Sequence, residues 1–169
     1  MILDLLTSFC FQKAFTATGY STDSVANAGL GDHGYVDLGA TDAFAASSNT
    51  GTEYFGVGEP SIYVEAIVTT LMNDANTPRT GTCLVTIEMA DDTAFSSNLT
   101  TLLTLGTFPA GSKAGVRLQG RLPVGSAYRR YLRAKFTMAV ASLTAGKFSC
   151  YMARDLANNY IYPGRITID

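Results

Sequence analysis

The chain has few of the residues on which catalytic and metal sites are usually built. Its 169 residues include no tryptophan, one histidine and three cysteines. One imidazole cannot make a zinc site, Cys10, Cys83 and Cys150 show no CxxC spacing, and there is no GxSxG motif for a serine nucleophile. These absences disfavour a zinc site, a disulfide framework and a hydrolase triad. We therefore expect three reduced, buried thiols.

The acidic residues do not form a recognisable metal loop. The stretch 23–42 contains four aspartates around His33, but they lack the strict alternation about a central glycine that calcium loops require. Asp91 and Asp92 occupy a turn, where aspartate side chains commonly bond the backbone. The sequence therefore predicts no metal, no cofactor and no enzymatic activity.

Charged residues are also scarce, at 15% of the chain against about 25% in typical soluble domains. Hydrophobic residues make up 47%. A surface so poor in charge is suited to burial against neighbouring subunits. The apolar N-terminal segment 1–11 has no cationic lead or cleavage pattern and is too short to span a bilayer, so we expect neither secretion nor membrane insertion.

The charges that are present are segregated along the chain. Residues 1–92 carry twelve acids against Lys13 and Arg79, whereas residues 93–154 carry nine basic residues and no acid. Three interpretations follow: internal pairing with acidic strands such as those of Glu65 and Glu88, contact with an acidic surface of another subunit, or nucleic-acid binding. The sequence pI of about 5.3 argues against nucleic acid. Internal pairing and a protein contact remain the leading alternatives.

Alternation of apolar and polar residues predicts an all-β protein built as an antiparallel two-sheet sandwich. The polar connection 73–81 indicates that its flanking strands form a hairpin, and Gly106 is expected to end the strand before it. No amphipathic helix is expected. The predicted strands lie within 34–39, 62–69, 83–89, 99–105, 116–122, 129–138 and 147–152.

The length fits one domain, residues 1–169. Within it we expect an N-terminal arm or first strand at 1–13, a Gly-rich loop region at 14–58, core strands at 59–153 and a C-terminal arm at 154–169.

Four short motifs in fixed order carry a family resemblance. They are Met1-Ile2-Leu3-Asp4, Gly58-Glu59-Pro60, Asp91-Asp92-Thr93-Ala94-Phe95-Ser96-Ser97 and Arg130-Tyr131-Leu132-Arg133. Together they resemble the capsid cement, or decoration, proteins of tailed bacteriophages, of the type first recognised in Bordetella phage. The resemblance covers roughly residues 1–10 and 58–152. The Gly-rich stretch 20–57 and the tail after Arg154 are extra to it.

The resemblance implies a jelly-roll-like sandwich that assembles as a homo-oligomer, a dimer or a trimer. It implies a structural virion protein, made in the host bacterial cytoplasm, that sits on the outer capsid surface. There it would bridge subunits of the major capsid protein of the same phage and resist internal DNA pressure. No catalysis and no membrane are implied, and nucleic acid is an improbable partner.

On this basis we predict two kinds of contact residue. Arg129, Arg133 and Lys135, with Tyr131 among them, would set electrostatic register against the shell or another subunit. The arms would supply apolar and aromatic anchors, namely Ile2, Leu3, Leu5, Leu6, Tyr160 and Tyr162. The alternative for 1–13 is an ordinary first strand buried in its own sheet.

The alternative function is a carbohydrate-binding, lectin-like module on a virion surface. Such modules stack sugars on exposed aromatic rings. The chain has no tryptophan and its tyrosines are scattered. A shallow site would have to use Tyr63, Tyr131 or Tyr151.

Overall fold

The computed structural model describes residues 8–14, 17–21, 34–38, 62–76, 78–123 and 128–153. These ranges contain β-strands and connections but no helix. Among them, no helix long and apolar enough to cross a membrane is found. The nine strands are β1 (Ser8–Ala14), β2 (Gly19–Tyr20), β3 (Val36–Asp37), β4 (Tyr63–Asp74), β5 (Thr82–Ala90), β6 (Thr100–Pro109), β7 (Arg117–Arg121), β8 (Tyr131–Ala139) and β9 (Leu143–Ala153).

The strands form two antiparallel sheets. The first sheet has the order β1-β9-β4-β7, and the second has the order β2-β8-β5-β6 with β3 also paired to β8. Strands that follow one another along the chain mostly lie in opposite sheets, as in a jelly roll. The predicted all-β, two-sheet, jelly-roll-like sandwich is therefore confirmed.

The core lies between the inward faces of the two sheets. Val64, Ala66 and Val68 belong to β4, inside the strand predicted within 62–69, and all three are fully buried. At the centre the Phe148 ring lies 5.7 Å from that of Phe108 and 5.4 Å from that of Phe136. Burying each such ring stabilises the fold by about 1.5–3 kcal/mol, so these rings tie β6, β8 and β9 into one core.

All three cysteines are buried, as predicted. Burial raises the pKa of Cys83 to about 12. Burial also raises the pKa of Cys150 well above its ordinary value, and neighbouring Cys10 and Glu65 add to the effect. These two thiols are therefore protonated at neutral pH, in which form they pack as small apolar groups.

The predicted hairpin around 73–81 is wrong. β4 pairs with β7 and β9, whereas β5 pairs with β6 and β8, so the connection crosses from one sheet to the other. Its turn chemistry is real, because a carboxylate oxygen of Asp74 accepts hydrogen bonds from the amides of Thr80 (3.0 Å) and Gly81 (2.6 Å). A polar turn between two one-sided strands does not reveal whether they pair or face each other across the core.

Gly106 does not end its strand, contrary to prediction. β6 continues through it to Pro109, and the pairing shifts by one residue there, with Val85 opposite Gly106 and Thr86 opposite Thr104. Gly106 has φ of +137°, and a Cβ at this position would lie 3.2 Å from Leu118 Cδ2. The glycine therefore marks a β-bulge under β7, a position that favours glycine.

β2 and β3 occupy one edge of β8, although the chain between them is long. Tyr20 pairs with Lys135 and Val36 pairs with Leu132. Ser21 joins the two short strands: its hydroxyl donates to the Gly34 carbonyl and accepts from the Ala134 amide at 2.9 Å. The Gly-rich region 14–58 therefore contributes two strand segments to the second sheet, including the short edge strand predicted within 34–39.

β1 places the second half of segment 1–13 at the edge of the first sheet, against β9. The residues of segment 1–13 that belong to β1 therefore form a first strand in their own sheet, which was the alternative to an arm. Register shifts at Cys10 and Lys13 mark bulges, and Gln12 has φ of +48°. As a result Lys13 is buried, and its ammonium donates to the carbonyls of Tyr20 (2.9 Å) and Ser21 (3.0 Å). This lysine ties β1 of the first sheet to β2 of the second.

Candidate functional site: a charged cluster on the second sheet

The basic strand β8 turns a row of cations to the outer face of the second sheet, next to β5. Register places Glu88 directly opposite Arg133. Arg133 donates from Nε (2.9 Å) and Nη2 (2.8 Å) to Oε2 of Glu88, and Lys135 Nζ lies 3.1 Å from Oε1. The Glu88 side chain is 5% exposed and that of Arg133 is 9% exposed. This is a buried ion pair with a third, half-buried partner.

Two aromatic rings contact the Arg133 guanidinium. Its Cζ lies 3.8 Å from the centroid of Tyr20 and 4.4 Å from that of Phe95. Arginine is favoured in such contacts because its planar cation is weakly hydrated. We call Tyr20, Glu88, Phe95, Arg133 and Lys135 the charged cluster.

The turn after β5 delivers Phe95 to the cluster. Asp92 accepts hydrogen bonds through Oδ1 from the amides of Ser96 (3.0 Å) and Ser97 (2.8 Å), and through Oδ2 from the Ser96 hydroxyl (2.7 Å). These hydrogen bonds lower the pKa of Asp92, with the Ser96 hydroxyl as the largest cause and the Ser97 amide as the next. Phe95 takes the left-handed conformation, φ +55°, and is buried. The prediction that the Asp91-Asp92 turn satisfies its own backbone is confirmed.

Two exposed ion pairs flank the charged cluster. Arg129 Nη1 lies 3.2 Å from Oδ2 of Asp91, and the two side chains are 41% and 38% exposed. Arg130 donates from Nε and Nη2 to the two Asp37 oxygens, each at 3.0 Å. These hydrogen bonds raise the pKa of Arg130, which therefore stays charged. Both pairs link the residues just before β8 to acidic residues of the segment 1–92.

A second buried carboxylate lies on the outer face of the first sheet. Glu65 of β4 has a side-chain exposure of 0% and is bonded from both neighbouring strands. Arg117 Nη1 (3.0 Å) and Tyr151 Oη (2.8 Å) approach its Oε1, and Gln119 Nε2 donates to its Oε2 at 2.8 Å. Burial, followed by the bond to Glu65, raises the pKa of Tyr151.

The topology explains the charge segregation of the sequence. β4 and β5, from the acidic half, each lie between two strands of the basic half. Charges separated by dozens of residues in the chain thus become cross-strand neighbours, which attract one another in a sheet. The internal-pairing interpretation is confirmed for five basic residues: Arg117, Arg129, Arg130, Arg133 and Lys135.

The structure brings together four of the predicted contact residues and leaves the others outside the described ranges. Arg129, Tyr131, Arg133 and Lys135 share the outer region of the second sheet, where Tyr131 meets the Tyr35 ring edge-on at 5.6 Å. Their role in binding another subunit stays a prediction. Ile2, Leu3, Leu5, Leu6, Tyr160 and Tyr162 lie outside the described residues.

Sequence reasoning missed the side chains that complete the two buried sites. Tyr20 lies in a region that was predicted to be mostly loop. Gln119 and Tyr151 were recognised as strand positions, but nothing in a sequence pattern reports that they converge on Glu65. The sequence offered one signal of the charged cluster, namely Phe95 in the polar turn 91–97. A large apolar side chain in a polar turn indicates that it packs against a neighbouring surface.

The predicted shallow sugar site is divided between the two sheets. Tyr63 and Tyr151 belong to β4 and β9 of the first sheet, and Tyr131 belongs to β8 of the second. Tyr151 is buried with its hydroxyl bonded to Glu65. It therefore offers no exposed ring for stacking a sugar.

Within the described ranges, no three His, Cys, Asp or Glu side chains come together as a possible metal site. His33 and the neighbouring Asp23, Asp32 and Asp42 lie outside those ranges.

Comparison with known protein families gives a match to the chain. The sequence model of the Bbp16 family matches residues 9–152, from β1 to β9. The chain belongs to the Bbp16 family. Bbp16 is a family of Bordetella phage proteins, so the chain is a phage protein, consistent with association with the virion. No curated protein matches the chain.

The Bbp16 match refines the extent of the resemblance. The Gly-rich stretch 20–57 lies inside the matched range, so it is not extra to the family as first expected. Residues 1–8 and 153–169 lie outside the Bbp16 match. The two motifs at 91–97 and 130–133 lie inside it and meet in the structure, where Phe95 contacts Arg133.

Proposed function

We propose that this chain is a structural virion protein that binds the outside of a phage capsid shell and stabilises it. It would do so by bridging adjacent subunits of the major capsid protein, without catalysis. The observation that carries the proposal is the Bbp16 match over the whole sandwich, in a sequence that resembles phage cement proteins.

The physical character of the sandwich supports this role. A cement protein needs a rigid body, and here buried carboxylates on both sheets are held by cross-strand partners. A standard protein interface buries about 1,200–2,000 Å² in total. Because many copies engage one shell, each copy benefits from high effective concentration, and modest contacts suffice.

Sedimentation with capsid shells tests the proposal. Purified protein is mixed with shells of the same phage that lack it, with single- and double-stranded DNA, and with a polysaccharide panel. We expect cosedimentation with shells only. Binding to polysaccharide alone would replace the proposal with the lectin-like alternative, and binding to DNA alone would replace it with nucleic-acid recognition.

A deletion tests the predicted apolar arm separately. Removal of residues 2–6, which contain Ile2, Leu3, Leu5 and Leu6, should lower shell occupancy while circular dichroism still reports a folded β protein. Unchanged occupancy by the folded deletion variant would show that the segment does not anchor the protein.

A further inference from the structure

Three connections meet at one end of the sandwich. They are 75–81 between β4 and β5, 110–116 between β6 and β7, and 140–142 between β8 and β9. The Ala110 amide donates to the Gly81 carbonyl at 2.8 Å, and a Cβ on Gly81 would lie 3.1 Å from the Ala141 carbonyl oxygen. The segment 111–116 also runs along β4, with Met72 bonded to Ser112 and Val68 bonded to Val116. We call this end the tip.

The tip carries two exposed cations. Arg79 and Lys113 are exposed and form no ion pair within the described residues. Arg79 lies over Gly111, two residues from Lys113. The carboxylate of this end, Asp74, is buried and accepts the amides of its own connection. The tip is therefore basic, whereas five of the basic residues elsewhere are paired.

The tip also exposes aliphatic side chains. The described residues include five large exposed apolar side chains, and Leu71, Val116 and Val140 are three of these. Val140 is the extreme case, with 80% of its surface exposed. Exposed aliphatic groups next to unpaired cations are typical of a protein contact rather than a nucleic-acid contact, since the three connections contain no aromatic residue to stack on a base.

Val140 is held in a conformation that valine rarely adopts. Its φ is +69°, and the Ala141 amide donates to the Ala139 carbonyl at 2.9 Å, so Val140 is the central residue of a three-residue turn. Glycine takes this conformation without steric strain, whereas a β-branched residue is an outlier there. A strained backbone that presents an apolar side chain to solvent indicates a use for that side chain.

We propose that the tip surface, formed by Leu71, Arg79, Lys113, Val116 and Val140, docks on an acidic protein surface of the capsid shell. Val140 enters an apolar recess of that surface, and Arg79 and Lys113 face its carboxylates. Charge complementarity selects the partner, because an acidic protein surface satisfies both the cations and the aliphatic groups. This inference rests on the proposed function and assigns the docking end of the molecule.

Val140→Gly and Lys113→Glu test the assignment in the shell assay, with a control for each at the other end of the sandwich. Leu99→Asp removes an exposed aliphatic group from the β5–β6 connection. Arg121→Glu reverses an exposed cation at the far end of β7 that forms no ion pair with the residues described by the structure. We expect Val140→Gly and Lys113→Glu each to weaken shell binding at least tenfold, and each control to change it less than twofold. The Lys113→Glu effect should shrink as salt rises.

The stability of Val140→Gly separates docking from folding. Because glycine relieves the strained turn, the melting temperature of the Val140→Gly variant should equal or exceed that of the wild type. Weaker binding by an equally stable protein supports the proposal. If the tip variants bound shells as tightly as the control variants do, the tip assignment would be overturned and the proposed function would be unaffected. If the wild-type protein failed to bind shells, both would be overturned. If the wild-type protein bound duplex DNA, and the tip variants lost that binding while their shell binding stayed unchanged, the assignment would also be overturned.

Discussion

At the scale of single residues, this protein uses the same kinds of side chain in two different ways. The Glu88–Arg133 pair is nearly buried, whereas the Asp91–Arg129 pair is about two-fifths exposed. Water and salt screen the exposed pair, but the buried pair depends on its partners alone. Mutations of the two should therefore have very different effects.

Glu88→Gln should reduce the free energy of unfolding by about 3–5 kcal/mol, because it leaves the Arg133 cation buried without a counter-charge. Asp91→Asn is the matched control, with an expected loss of about 0–1 kcal/mol. Chemical denaturation at neutral pH measures both. Equal losses would mean that the Arg133 cation finds another partner or reaches solvent.

Asp74 predicts a dependence of stability on acid. The Gly81 amide is the main cause of its lowered pKa, against an opposing effect of burial. A carboxylate whose pKa is lower in the folded state stabilises the fold above its unfolded value, about 3.9, and loses that contribution as pH falls through the folded value.

Asp74→Asn should therefore lower the melting temperature at pH 7, and the difference from wild type should narrow below about pH 4. Melting curves of both proteins from neutral to acid pH measure this gap. A gap that stayed constant down to the lowest pH would show that the wild-type carboxylate does not gain stability from its charge.

Although the structure places Arg129 just before β8, sequence reasoning correctly predicted that Arg133 and Lys135 lie on one face of a strand. It could not tell which of these cations were already neutralised, because Glu88 precedes Arg133 by 45 residues and only the sheet order makes them neighbours. The cations without ion pairs in the described part of the chain include Arg79 and Lys113, which lie in connections and have no periodicity to single them out.

At the scale of elements, alternation located the strands well but did not assign them to sheets. Val64, Ala66 and Val68 form an inward face whether β4 and β5 pair in one sheet or face each other across the core. The sheet order depends on long-range register, for example β4 with β9, which a local pattern does not contain. Gly106 failed as a stop signal for a related reason, since glycine serves a bulge as readily as a strand end.

Ser21, which joins β2 and β3, gives a prediction for the edge of the second sheet. The Ser21 hydroxyl accepts the buried Ala134 amide, and the Thr18 hydroxyl accepts the Met138 amide at 3.0 Å in an exposed position. Ser21→Ala should lower the free energy of unfolding by about 1–3 kcal/mol, because it removes the acceptor of a buried amide.

Thr18→Val is the matched control for Ser21→Ala, and it should change the free energy of unfolding by less than about 0.5 kcal/mol since water can replace the hydroxyl. Denaturant titration and hydrogen exchange of the Ala134 amide provide the two readouts. A fast-exchanging Ala134 amide in the wild type would contradict the proposed role of Ser21.

At the scale of the whole molecule, the sandwich and the rest of the chain have opposite net charges. The described residues contain ten basic and six acidic side chains, and the remaining residues contain two basic and eight acidic ones. All six carboxylates of the described part are engaged within the fold, whereas four of its exposed cations, Arg79, Lys113, Arg121 and Lys147, have no ion pair there. Identical subunits can therefore attract one another.

Self-association should consequently weaken as salt rises. Exposed charges lose most of their mutual attraction when the screening length falls from about 10 Å at 0.1 M salt to about 3 Å at 1 M. Light scattering after size exclusion, at fixed protein concentration across this range, should show the mass of the assembly falling toward that of one 18.0 kDa chain. Because the Glu88 and Glu65 networks are buried, circular dichroism should stay that of the folded protein throughout. An assembly whose mass is indifferent to salt would mean that the charge segregation serves the fold alone.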